Sequence, residues 1–233
     1  MSSVRTKDMR RLYLIELFAG THSVSRAVRR SAIGRDYDVR VLSVDIEPKF
    51  DPSVVADIST WRYKGPIHDF ILDRRPSDVV AVHASPPCTE FSRALTTRPR
   101  DLEAGSRNVK AALRIIKHVD PDFWTLENPV GLLKEQPFMK RGCAKYLNTT
   151  CYCKFGFPYR KATNIWSSIP DLDLPMCDSR TPCAIKRKHG RHLVTAQAGP
   201  SKSTPGSGGG EAVYGLPPKL IRYLFRCGIE SLE

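Results

Sequence analysis

VVAVHASPPCTEFS, residues 79–92, is the stretch on which the fold turns. Four apolar residues open it, Val79, Val80, Ala81 and Val82, and they read as a strand buried on both faces. Ser85, Pro86 and Pro87 then end the strand, because proline fixes φ and gives no N–H to a ladder. One thiol follows, Cys88. In open α/β sheets the carboxyl end of a buried strand is where ligands and chemistry collect. Read alone, Cys88 is more simply a small buried hydrophobe, the common fate of a free cysteine.

Upstream, RLYLIEL (Arg11–Leu17) is a second apolar strand, running into Phe18, Ala19, Gly20, Thr21, His22 and Ser23. Val24, Ala27 and Val28 then recur at helical spacing, opposite Arg26, Arg29 and Arg30. A strand, a turn of small residues and a helix N-terminus together let a ligand approach the backbone closely. VRVLSV, residues 39–44, is the next strand and ends on Asp45, where nucleotide-like cofactors have their ribose hydroxyls held; a turn carboxylate is the plain alternative. VVADI, residues 54–58, is a short strand with Asp57 near its end. A helix is expected within 61–75.

Beyond Cys88 the stretch 93–107 is polar and basic and reads as a loop. Residues 108–118 have helical spacing. FWTL, residues 123–126, is a strand ending at Glu127, Asn128 and Pro129. Residues 132–146 are helical or mixed. Strand-like stretches at 152–157 and 162–167 flank the basic turn 158–161. Strands alternating with helices imply a parallel sheet covered on both sides. The turn 18–23, Asp45, Asp57, Cys88 and Glu127 then gather on one sheet edge. The first three suit a ligand with a ribose and an adenine; the last two are a nucleophile and a proton donor or acceptor.

Composition narrows the partners. Lys and Arg total 37 against 24 Asp and Glu, a net charge of +13 that favours a polyanion, nucleic acid above all. Hydrophobic residues make up 41%, enough to bury a core. No apolar run of about 18 residues suggests a membrane span, and the basic N-terminus lacks a signal-like apolar core, so an intracellular protein is expected. The seven cysteines then read as reduced thiols, catalytic or metal-binding. Cys151, Cys153, Cys177 and Cys183 make a candidate four-ligand zinc site, with unliganded cysteines as the alternative. The run 186–192, KRKHGRH, would sit on such a lobe as a contact for DNA, or is a solvated linker or localisation signal. AGPSKSTPGSGGG, residues 198–210, is low-complexity and expected to be disordered. Pro217 and Pro218 open a helix in which Leu220, Leu224 and Cys227 recur.

Taken in order, ELFAGTHS, SVDIEP, ADI, SPPCTEFS and LENP resemble the DNA cytosine-C5 methyltransferases. FGFPYRKATNIW is similar to that family's later pair of strands, and 213–224 to its last motif, whose helix packs beside the cofactor turn. The resemblance implies a Rossmann-like fold and S-adenosylmethionine as methyl donor. Phe18, Ala19, Gly20, Thr21, His22, Ser23, Asp45, Ile46, Asp57, Ile58 and Pro86 would contact it. It implies Cys88 beside Pro87 as a thiolate of lowered pKa attacking C6 of a flipped cytosine. Glu127 would contact the ring, Asn128 would hold the Pro-Cys loop, and Arg160 or Lys161 would substitute for family arginines. Ser92, Arg93, Arg98, Arg100 and Arg107 would close over base and phosphates.

The departures from the family include His22 for a glycine, Pro129 for a valine, Tyr159-Arg160-Lys161-Ala162-Thr163 for Q-x-R-x-R with Thr163 at an arginine, and no Gly-Asn before the last proline motif. The organisation implied is a catalytic domain at 1–168, a short Cys-rich basic insert and linker at 169–212 in place of a target-recognition domain, and a returning C-terminal helix at 213–233. So short an insert implies relaxed sequence specificity or a partner protein that supplies it. Rivals are a nucleic-acid-binding scaffold of the same fold that has lost catalysis, and C5 modification of RNA.

Overall fold

In the computed structural model the described residues are 9–195 and 215–233; the low-complexity stretch 198–210 lies outside them. The elements are β1 (Arg11–Leu17), α1 (Ser23–Arg29), α2 (Ile33–Asp36), β2 (Asp38–Asp45), β3 (Val54–Val55), α3 (Lys64–Ile71), β4 (Val79–Ala84) and α4 (Leu102–Val119). There follow β5 (Phe123–Pro129), α5 (Pro137–Gly142), β6 (Leu147–Cys151), β7 (Tyr159–Arg160), β8 (Ala162–Ser167), α6 (Ala184–His189), β9 (Val194–Thr195) and α7 (Pro218–Glu230). Seven strands form one sheet in the order β3-β2-β1-β4-β5-β8-β6. The first five run parallel, while β8 pairs antiparallel with β5 and with β6. This is a mostly parallel α/β sheet of Rossmann-like kind, with a Cys-rich region near the C-terminus.

The two central strands explain the layering. All six residues of β4 are buried, so the strand carries no polar alternation. Leu12, Leu14, Val79 and Ala81 face one core, under α1 and α7. Ile15, Leu17, Val82 and Ala84 face the other, where α4 sets Val109, Ala112, Ile115 and Ile116. In α7, Leu220, Ile221, Leu224 and Phe225 are buried, and Phe225 meets Phe123 edge to face with centroids 5.4 Å apart. Gly228 permits that approach: a Cβ there would stand 2.7 Å from the Phe123 ring.

Four expectations need correction. The basic stretch 93–107 is not a loop throughout, because Asp101 caps α4 by accepting from the Ala104 N–H at 2.8 Å, and Arg107 is therefore helical. Strand β5 continues through Pro129. Proline forfeits one donor only, and beyond it the Val130 N–H donates to the Ala162 carbonyl at 2.9 Å. The stretch 152–157 is a 3-10 turn ending at Gly156 with φ of 95°, and the strand lies just before it in the polar sequence LNTTC of β6. Strand β3 stops at Val55, short of Asp57.

Candidate active site

A cavity of about 590 Å³ opens at the carboxyl ends of the parallel strands, large enough for a ligand of cofactor size. Its first wall is the turn after β1. Phe18, Gly20 and His22 all take left-handed φ, at 59°, 46° and 57°. The Gly20 N–H donates to Asp45 Oδ2 at 2.8 Å, and the Glu47 N–H to Asp45 Oδ1 at 2.9 Å. Asp45 thus locks the turn to the tip of β2 and lines the cavity. Phe18, Ala19, Gly20, Thr21, Ser23, Ile46, Asp57, Ile58 and Pro86 also line it. Ile46 is 59% exposed although large and apolar, and Ile58 is buried. The Leu216 N–H donates to Ser23 Oγ at 3.2 Å, which brings the segment before α7 to this wall.

His22 departs from its expected place on the cavity wall. Its ring turns away, with Nε2 donating to the Phe50 carbonyl at 2.7 Å, and it does not line the cavity. Histidine is among the residues that enter the left-handed region more readily than most, so the glycine-like backbone survives the substitution. Glu16 was not singled out from the sequence. Its carboxylate accepts from the Val24 and Ser25 N–H groups at 3.2 and 3.3 Å, holding α1 to β1, and burial raises its pKa. The available signal was a lone acid inside RLYLIEL.

The second wall carries the thiol. Cys88, half-buried, precedes a short 3-10 turn at Thr89–Phe91. Asn128 Nδ2 donates to the Pro86 carbonyl at 2.9 Å, tying the loop to β5. Pro87, exposed, lines the cavity with Cys88, Glu127 and Lys161. In the antiparallel register Glu127 lies opposite Ile165 and Pro129 opposite Thr163; alternation then puts Lys161 on the same sheet face as Glu127. Glu127 Oε1 accepts from the Tyr152 hydroxyl at 2.7 Å, and Lys161 Nζ stands 4.9 Å above the Tyr152 ring. Arg160, paired with Lys161 in the expectation, faces away: its Nε donates to the Cys177 carbonyl at 3.1 Å.

Cys88 also corrects an electrostatic expectation. Burial pushes its thiol above the ordinary value; Lys161 pulls it down and Glu127 pushes it up, with burial the largest effect. Behind the loop, His83 is fully buried between the Thr125 and Ser85 hydroxyls, each 2.8 Å away, and desolvation lowers its pKa to about 3. It is a neutral strut under the turn at Ser85, and the apolar run around it hid it from sequence reading.

The expected nucleic-acid residues divide. Arg107 lines the cavity from α4. Arg98 forms an ion pair with Glu90. Arg100 donates to the Ser92 carbonyl at 3.0 Å and the Leu95 carbonyl at 2.9 Å. These last two hold the loop in shape, while Arg93 is exposed. The expected metal set also changes. Cys153, Cys177 and Cys183 converge with His192, not with Cys151, whose Sγ lies 3.9 Å from Met176 Sδ. Cys151 ends β6 whereas Cys153 sits in the following turn, so strand alternation does not bring them to one face.

No protein-family model matches the chain. A Frog virus 3 (isolate Goorha) protein named "Probable DNA (cytosine-5)-methyltransferase" is 26% identical over 204 residues, covering 80% of this chain and 86% of its own. The solved structure of the Entamoeba histolytica methyltransferase EhMeth aligns with TM-score 0.51 and 17% identity over 73% of this chain, which spans 58% of that protein. A candidate DNA modification methyltransferase encoded within an E. coli prophage aligns with TM-score 0.48 and 18% identity, over 67% of this chain and 46% of its own. The chain shares the Rossmann-like fold of EhMeth, and the viral relative bears out the resemblance of its motifs to the DNA cytosine-C5 methyltransferases.

Proposed function

We propose that this protein transfers a methyl group from S-adenosylmethionine to C5 of cytosine in DNA through a covalent bond between Cys88 and C6. The observation that carries the reading is the single cavity whose walls are the Phe18–Gly20 turn with Asp45 and Ile46 on one side and Cys88, Glu127 and Lys161 on the other. The first wall fits the donor. Open space faces the position a Gly20 Cβ would fill, and Ile46 offers an uncovered apolar side chain beside carboxylates at Asp45 and Asp57. Bound there, the donor supplies an electrophilic methyl on a sulfonium.

Every other part falls to the chain. Cys88, once deprotonated, adds to C6 and makes C5 nucleophilic. After the methyl is taken up, loss of the C5 proton and departure of the thiolate restore the ring. Glu127, held by Tyr152, faces N3 and the exocyclic amine. Lys161 favours the thiolate and the charge that builds on the ring. The target base must leave the stack to reach Cys88, and Arg107 with Arg93 meets the phosphates. The name of the viral relative supports DNA as the substrate. The short Cys-rich segment is consistent with loose sequence preference or a specificity-supplying partner.

DNA containing 5-fluorocytosine tests this directly, because fluorine at C5 blocks proton loss and traps the adduct. With S-adenosylmethionine present, a protein–DNA adduct is expected from the wild type and none from Cys88→Ala. DNA binding without an adduct would refute the enzyme reading and leave a scaffold.

A further inference from the structure

We propose that Cys153, Cys177, Cys183 and His192 form a structural zinc site that braces the back of the cavity. Their ligand atoms all lie within 4.8 Å of one another. His192 Nε2 stands 3.3 Å from Cys183 Sγ and 3.6 Å from Cys177 Sγ. Ligands of a tetrahedral zinc, bound at about 2.1 to 2.3 Å, are roughly 3.6 to 3.8 Å apart. The cluster therefore needs shifts of only roughly 1 Å to close on an ion. Three thiolates and an imidazole are soft donors that select zinc over magnesium or calcium.

The surroundings fit a built site. The three cysteines are buried and free of disulfides. Two backbone amides already point at sulfur: the Cys183 N–H donates to Cys177 Sγ at 3.3 Å, and the Lys186 N–H to Cys183 Sγ at 3.4 Å. Such outer hydrogen bonds orient metal ligands and favour their charged form. A disulfide between two of the cysteines would leave the third thiol and His192 with no use for their convergence. The lobe is tied to the sheet by hydrogen bonds such as Thr150 Oγ1 to the Pro175 carbonyl at 2.8 Å, but its own apolar core is thin. Around the buried cysteines its apolar packing is Ala162, Met176 and Ile185, too little to order a segment rich in proline and charge without a staple.

The ligands come from separate places in the chain: the turn after β6, the middle and the end of the loop before α6, and the link from α6 to β9. Two of them connect, through one neighbour each, to residues of the cavity wall. Cys153 follows Tyr152, whose hydroxyl holds Glu127. The Cys177 carbonyl accepts from Arg160, the neighbour of Lys161. An ion here ties the lobe to the two residues that position the charged groups beside Cys88, and it also fixes the basic helix α6 to the sheet. The ion takes no part in bond making.

The test is metal content of the full-length protein purified under reducing conditions without chelator. Elemental mass spectrometry is expected to find about one zinc per chain. Exchange into cobalt is expected to give a thiolate charge-transfer band and the visible bands of a tetrahedral site with three sulfurs. Cys177→Ser and His192→Ala are expected to lose the metal, and Cys151→Ser to keep it. Less than about 0.2 equivalents in the wild type would overturn the proposal. So would loss of the metal in Cys151→Ser, or a disulfide among the three cysteines after alkylation at harvest. Metal content is read without any methyl transfer, so this outcome is independent of the proposed reaction.

Discussion

Removing one oxygen, in Tyr152→Phe, tests how Glu127 is held. The hydroxyl donates to Glu127 Oε1 at 2.7 Å, with the tyrosine fully buried and the glutamate 5% exposed. The pKa of Tyr152 is raised well above the ordinary value by burial and by Glu127, so it remains a donor at any working pH. Phenylalanine keeps the ring, its edge-to-face contact with Phe157 and the cation contact from Lys161. The change therefore removes the bond to Glu127 together with the contact of the same hydroxyl with Thr163. Bonds of this kind to a carboxylate contribute about 1.5 to 3 kcal/mol, which in a domain of this size lowers the melting temperature by roughly 4 to 10 °C. If the same energy holds Glu127 against the base, methyl transfer falls about 10- to 100-fold. Scanning fluorimetry and incorporation of labelled methyl groups into DNA measure the two effects. In the Glu127→Gln background the second effect should shrink, because the two residues act as one unit. A melting shift under about 1 °C with a rate within about twofold of wild type would refute the reasoning.

Other perturbations bear on separate links. His83 has a folded pKa of about 3 against an ordinary 6.5, so the unfolded chain binds the extra proton between those values. Its contribution is present above pH 6.5 and lost as pH falls toward 3, about 2 kcal/mol of it by pH 5, and denaturant titrations of wild type and His83→Gln should diverge in that window. Because burial raises the Cys88 thiol, its alkylation by iodoacetamide should quicken roughly tenfold per pH unit near neutrality, and Lys161→Met should slow it; a flat pH profile would contradict this. His22→Gly relieves a left-handed backbone but loses the bond to the Phe50 carbonyl, so stability should move by less than about 1 kcal/mol and donor affinity, by calorimetry, should persist. Gly228→Ala should destabilise by about 1 to 2 kcal/mol in thermal melts despite the better helix propensity of alanine, since its Cβ meets the Phe123 ring.

Legibility in the sequence followed the range of the forces involved. Strands β1 and β4 announce themselves because burial along nearly their whole length demands apolar runs, and a proline pair marks where β4 must stop; β2, buried only in its second half, is marked by the apolar residues around Leu42 and Val44. Strand β6 is polar and lies at the sheet edge, paired only with β8, so its sequence carries almost no period; the apolar stretch just after it misled. The start of α4 rested on a local signal, Asp101 three residues before Ala104, which the surrounding arginines obscured. The ligand atoms of His192 and Cys153 meet across 39 positions of chain, a distance that spacing rules for short metal motifs do not cover.

The site itself shows how departures from a pattern are absorbed. Thr163 stands where the family has an arginine, and it is fully buried between β5 and β6, where a guanidinium would have to shed its water. The chain keeps one cation at this wall, Lys161, and gives Glu127 a neutral donor in Tyr152 instead. That exchange leaves Lys161 as the downward pull on the Cys88 thiol, which burial outweighs. It also shifts the task of fixing Glu127 onto the turn that carries Cys153. In this protein, then, the rigidity of the Cys-rich lobe and the alignment of the acid beside the thiol depend on the same few residues.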